Sequence, residues 1–155
     1  MKINEILESV KSGKISTKDA KKLLTLYSIE EVENFAKIDI NRSKRRGVPE
    51  VIFAETKELE DTKKIIKKTL EKTNSVIVSR IKKDDYKKIL TFSKKLKVKT
   101  KTGKNSSSVL LFKKPIKSQS GKVGIMTAGT SDIGVAEEAR LMCEAMNCKC
   151  ITSYD

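Results

Sequence analysis

Apolar residues recur at helical spacing at the start of the chain. Ile3, Ile6, Leu7 and Val10 share one face and stop at Gly13, and Ser16, with Asp19 three residues on, starts a second helix carrying Ala20, Leu23, Leu24 and Tyr27 on its inner side. Ser28 and Glu31 have capping-box spacing, which predicts a third helix bearing Val32, Phe35 and Ala36. Such short helices need a surface to dock on. After a loop over 39–50 the pattern alternates between strand and helix. It predicts strands over 51–54, 76–80, 98–102 and 108–112, helices over 58–72 and 84–96, and a hairpin across Gly103-Lys104-Asn105. A polar stretch over 113–120 with Pro115 reads as a linker. A second βαβ unit follows, with strand 122–128, helix 132–146 and strand 148–153.

The expected fold class is α/β: short N-terminal helices, a small βαβαββ domain, then the first βαβ of a parallel-sheet domain. The corresponding boundaries are 1–38, 39–114, 115–121 for the linker and 122–155. The strand 122–128 is apolar throughout, as a strand buried on both faces would be, yet only one helix and one strand follow it. The expectation is therefore a truncated last domain, with Val123, Ile125, Val135 and Ile151 short of cover.

Charge changes the picture less than its size suggests. The net charge is +14, but from Gly121 onward there are 3 basic and 5 acidic residues, so the excess belongs to the preceding part. Much of it is lysine on helix faces, as in Lys63-Lys64-Ile65-Ile66-Lys67-Lys68, where burial of Ile65, Ile66 and Leu70 leaves the ammonium groups in water. A basic nucleic-acid-binding module is one reading of that charge, but the aromatic residues are scattered rather than interleaved as stacking platforms, and a nucleic-acid partner is not expected. No stretch reads as a membrane span or signal peptide, so a cytoplasmic location is expected. Histidine is absent, which removes histidine bases and His-ligated metals from this chain. Cys143, Cys148 and Cys150 fit neither paired zinc ligation nor a disulfide framework; they read as reduced thiols, Cys143 on the inner side of a helix.

The most informative segment runs from Val123 to Ala139, where an apolar strand breaks into Ala128-Gly129-Thr130-Ser131-Asp132 and then becomes a helix. Gly129 would let a ligand approach the backbone, and helix N–H groups could hold an anion. Thr130 and Ser131 add hydroxyl donors, and the Asp132 carboxylate would accept from a sugar hydroxyl or cap the helix. Earlier, Arg42 and Arg45 lie in a loop that ends at Gly47, Pro49 and Glu50. Their guanidinium groups would fork onto phosphate or carboxylate, or pair with Asp39 and Glu50 to fix the loop.

Taken together, the segment Asp39 to Phe53, with its Asn-Arg-Ser-Lys-Arg-Arg-Gly-Val-Pro-Glu run, and the segment Thr127 to Ala139 resemble the nickel-pincer nucleotide carboxylases, the pyridinium-3,5-biscarboxylic acid mononucleotide synthases. Their C-terminal domain is related to aminoimidazole ribonucleotide carboxylase. The resemblance implies carboxylation of the pyridinium ring of nicotinic acid adenine dinucleotide with CO2 or bicarbonate, and release of AMP. It implies no covalently bound cofactor, with magnesium as a candidate ion, and a homo-oligomer for the full-length protein. By the same resemblance Asp132 matches a ribose-contacting aspartate and Ser131 its neighbouring serine, with Gly129, Thr130, Arg42, Arg45 and Glu50 as further substrate-binding positions. Gly129 stands where the purine carboxylases carry a phosphate-contacting serine, which argues against the purine reaction. The family's nucleophilic cysteine falls after Asp155, so no catalytic residue and no metal ligand is expected here, and the chain alone is expected to be inactive. A catalytically silent assembly domain is the other reading that the chain supports.

Overall fold

A computed structural model describes residues 3–26, 29–32, 36–39, 48–115 and 121–155. The chain divides into two units, Met1–Asn41 and Arg42–Asp155.

In the first unit, α1 (Ile3–Lys11) packs against α2 (Thr17–Leu26), and Ile6 and Ala20 are buried. Gly13, at φ +71°, takes the left-handed conformation that follows a helix end. Ser16 begins α2 as its spacing predicts: its hydroxyl accepts from the Asp19 N–H at 3.0 Å and donates to the Asp19 carboxylate at 2.6 Å. The third helix is not present. In its place β1 (Ile29–Val32) pairs antiparallel with β2 (Ala36–Asp39), Ile29 opposite Asp39 and Val32 opposite Ala36. Ser28 and Phe35 lie outside the described residues. Ile29 and Val32 are β-branched, and a helix this short bears the full nucleation penalty, so strand pairing prevails over a capping-box spacing.

The second unit is built on a four-stranded sheet of order β3-β4-β6-β5, from β3 (Glu50–Phe53), β4 (Ser75–Ser79), β5 (Lys99–Thr102) and β6 (Val109–Phe112). β3 and β4 are parallel, linked by α3 (Leu59–Lys72), and the β4–β6 and β6–β5 pairs are antiparallel. α4 (Lys83–Lys95) joins β4 to β5. These are the predicted elements within one or two residues. β4 and β6 are buried along almost their whole length, because both sheet faces are covered. On α3 the buried Ile65, Ile66, Thr69 and Leu70 alternate with exposed Lys64, Lys67 and Lys68, as the helical period requires.

After Pro115 the described chain resumes at Gly121; 116–120 of the expected linker lie outside it. β7 (Lys122–Thr127) pairs in parallel with β8 (Lys149–Tyr154), and α5 (Ile133–Ala145) connects them. α5 lies between this pair and the four-stranded sheet, against β4 and β6 on one side and β7 and β8 on the other. Leu141, fully buried, joins Ile77, Leu110 and Phe112 in a cluster bordered by Val51, Met142 and Ala145. That docking corrects the expectation of uncovered residues in part. Val123 and Ile125 are half-buried, whereas Val135 and Ile151 are exposed, with Met126 84% exposed on the outer face. An apolar run predicts burial on both faces of β7, but α5 covers only one. Among the described residues no helix is long and apolar enough to cross a membrane.

Candidate functional site

The expected βα turn lies where predicted. β7 ends at Thr127, and one 3-10 turn (Thr130–Asp132) leads directly into α5. Thr130, Ser131 and Asp132 are all exposed at the carboxyl end of β7, the position where open α/β sheets bind ligands. The Asp132 N–H donates to the Gly129 carbonyl at 3.1 Å, and the Ser131 hydroxyl lies 3.3 Å from the Asp132 carboxylate. Neither end of the turn is capped by a side chain. The hydroxyls and carboxylate therefore face solvent without serving the helix.

Gly129 is required neither by its conformation nor by packing within the chain. Its φ of −168° is ordinary extended backbone, and a Cβ there would sit 3.7 Å from the Ser131 hydroxyl, an ordinary contact. The glycine that the packing demands is Gly134. A Cβ on it would lie 2.5 Å from the Asn105 carbonyl oxygen, so α5 approaches the β5–β6 loop backbone to backbone. Gly103 makes the reciprocal approach, where a Cβ would meet that of Glu137 at 2.6 Å. Gly134→Ala gains up to about 1 kcal/mol of helix propensity. The clash is with a backbone atom, which cannot rotate aside, so the expected net result is a loss on the order of 1–2 kcal/mol. Urea unfolding of wild type and variant reads this directly; an unchanged midpoint would mean that the loop yields freely.

Arg42 and Arg45 lie outside the described residues. Glu50 begins β3, half-buried and opposite Val76, while the far end of the same strand pair places Ser79 against α5. The structure thus gathers Gly129, Thr130, Ser131 and Asp132 and places Glu50 a strand length from the β4 end that meets α5.

Sequence reading missed the group around Glu137. This carboxylate is 7% exposed and takes a fork from Arg140, with Nε at 3.0 and 3.1 Å and a second guanidinium nitrogen at 2.7 Å. The Tyr154 hydroxyl donates to it at 2.7 Å, and the Lys104 backbone N–H at 3.2 Å. Arg140 also donates to the Thr102 carbonyl at 3.1 Å and to Glu144, which holds Lys101 at 2.7 Å. One residue along, the Ser79 hydroxyl donates to Glu138 at 2.5 Å. The Arg140 fork, reinforced by Tyr154, outweighs burial and holds the Glu137 carboxyl down at about 2, and Arg140 is held above its usual range by the same pairing. The chemistry is structural: these groups lock α5, β8 and the β5–β6 loop together just behind the βα turn. The only signal in the sequence was the tight spacing of Glu137, Arg140 and Glu144, which reads equally well as a solvent face.

Cys143, Cys148 and Cys150 are all free and half-buried. Burial, with Cys143 and Glu144 nearby, pushes the Cys150 thiol up to about 11, so it is protonated at neutral pH. Among the described residues no three of His, Cys, Asp and Glu are grouped as ligands to a metal ion.

A four-stranded mixed sheet and a parallel strand pair, with helices packed between and against them, define a mixed α/β protein. Residues 29–105 match the LarB/PurE-like N-terminal domain, and the chain belongs to this LarB-like family. It is also 36% identical over 157 residues to an uncharacterized protein of Methanocaldococcus jannaschii, an alignment that covers 99% of this chain and 60% of that protein. The chain thus spans about 60% of that relative's length.

Proposed function

We propose that this chain supplies the accessory domain and the first ligand-binding βα turn of a carboxylase acting on nicotinic acid adenine dinucleotide. The overall reaction adds CO2 or bicarbonate carbon to the pyridinium ring and releases AMP, as part of nickel-pincer cofactor assembly. Membership of the LarB-like family supports this reading, and the observation that carries it is the turn itself. Asp132, exposed and uncommitted as a cap, would accept from ribose hydroxyls, while Thr130 and Ser131 would donate to phosphate. Arg42, Arg45 and Glu50 are proposed to hold the acidic groups of the substrate or of a neighbouring subunit in a homo-oligomer. The nucleophilic thiolate is assigned to no cysteine of this chain, in keeping with the raised Cys150 thiol.

Calorimetric titration with nicotinic acid adenine dinucleotide tests the reading. Asp132→Ala should weaken binding by about 1–3 kcal/mol, or roughly 5- to 150-fold, the usual effect of losing a charged hydrogen-bond partner. Affinity unchanged by this substitution would overturn the role of the turn. Failure of the wild-type chain to bind would favour an assembly domain, for which the exposed Met126 and Ile151 on the outer face of β7 and β8 offer a surface.

A further inference from the structure

The chain turns back on itself where α5 ends, and that reversal brings two thiols together. Asn147 takes the left-handed conformation at φ +65°, its N–H donates to the Glu144 carbonyl at 3.0 Å, and the Cys148 N–H donates to the Cys143 carbonyl at 2.8 Å. This closure of a helix end fixes the path from α5 into β8. β8 is held in turn by its register on β7, where Cys150 stands opposite Val123. From β8 the Cys150 sulfur reaches back to α5. It lies 3.9 Å from the Arg140 carbonyl oxygen and hydrogen-bonds with the thiol of Cys143, one turn further along the helix. Cys148 has other neighbours: its sulfur lies 3.9 Å from the Met146 carbonyl oxygen and 3.5 Å from where a Cβ on Gly121 would stand.

We propose that Cys143 and Cys150 are a redox modification site, which an oxidant of the hydroperoxide class closes into a disulfide that staples the end of α5 to β8. Both sulfurs are carried on hydrogen-bonded backbone and already touch, so the bond needs side-chain rotation alone. The site is independent of whatever ligand the turn at 129–132 takes.

The order of events follows from the surroundings of each thiol. Burial first, and then the hydrogen bond and charge of Cys143, push the Cys150 thiol up to about 11, so Cys150 stays protonated at neutral pH and the first attack falls to Cys143. The Cys143 sulfur, giving up its proton, attacks one peroxide oxygen; the O–O bond breaks, a sulfenic acid forms and one water leaves. Its negative charge is then gone, and with it the repulsion that Cys143 sets against a Cys150 thiolate. The Cys150 sulfur displaces the hydroxyl from the sulfenic sulfur, the S–S bond forms and a second water leaves. Two thiols have lost two electrons and two protons, and hydrogen peroxide has been reduced to two waters.

The staple would sit one turn from Arg140, whose fork on Glu137 braces α5 against β8. Because the bridged residues are close in the chain, closing the loop removes little freedom from the unfolded state, so the effect is local to α5 and β8.

Treating the reduced 155-residue chain with hydrogen peroxide, blocking the remaining thiols with N-ethylmaleimide and mapping tryptic peptides without reductant tests the site. Cleavage after Arg140 and Lys149 should leave the 141–149 peptide linked to the 150–155 peptide, with Cys148 alkylated. Fragmentation of the linked peptide locates the bonded sulfur at Cys143 or Cys148 in wild type, so the result does not depend on a variant that folds. Cys148→Ser should retain the link and Cys143→Ser should lose it. In the oxidised protein the amides of the last turn of α5 and of β8 should exchange at least tenfold more slowly, and dithiothreitol should reverse this. A bond to Cys148, a disulfide only between chains, or oxidation to sulfinic acid with no link would overturn the proposal. Exchange unchanged by the bond would overturn the staple.

Discussion

Glu137→Ala should destabilise the 42–155 unit by about 3–5 kcal/mol, because removing one member of a buried ion pair leaves the others uncompensated. The Arg140 guanidinium, the Tyr154 hydroxyl and the Lys104 N–H would all lose their acceptor at once. Equilibrium urea unfolding measures the loss. The same carboxylate makes a prediction in acid. Its folded pKa, about 2, lies below the unfolded carboxylate value, so its contribution is fully present above about pH 4.5 and is lost as the pH falls toward 2. That contribution is on the order of 2–3 kcal/mol. Glu137→Gln should flatten this part of the stability profile between pH 5 and pH 2.5, and an unchanged slope would show that Arg140 does not hold the carboxylate as described.

Leu141→Ala should remove about 2–5 kcal/mol, the range for a leucine deleted from a filled core. Leu141 is fully buried against Ile77, Leu110 and Phe112, and it is the residue through which α5 grips the four-stranded sheet. Val135, on the same helix but 73% exposed, provides the contrast: Val135→Ala should change stability by no more than about 0.5 kcal/mol. Hydrogen exchange adds a spatial readout. In Leu141→Ala the amides of α5, β7 and β8 should lose protection before those of β4 and β6, which remain covered by α3 and α4. Equal loss throughout would mean that the unit opens only as a whole.

Much of the fold is legible in the sequence. The continuous apolar run Val109–Phe112 and the period of Ile65, Ile66 and Leu70 each report a local environment, and signals of this kind give the elements from β3 to β8. The misreading at Ile29–Val32 had the same root: a spacing of Ser28 and Glu31 that suits a cap says nothing of the strand preference of the β-branched Ile29 and Val32. The turn at 129–132 was legible because small and polar residues interrupt an apolar run. Its bracing was not, since Glu137 and Arg140 look like any helix-surface pair until β8 delivers Tyr154 and the β5–β6 loop delivers the Lys104 N–H.

Sequence alone determined the order of strands and helices from β3 onward, the lysine-covered outer faces of the helices, the absence of histidine chemistry and the position of the βα turn. All of these depend on neighbours within a few residues, where side-chain period and turn chemistry act directly. Only the tertiary structure decided that α5 is held between two sheets, that Gly134 and not Gly129 is the glycine required by contact, and that Glu137 is buried rather than solvated. Those outcomes depend on which surfaces meet, and a carboxylate or a glycine carries no mark of its future partner until docking excludes water and brings one backbone against another.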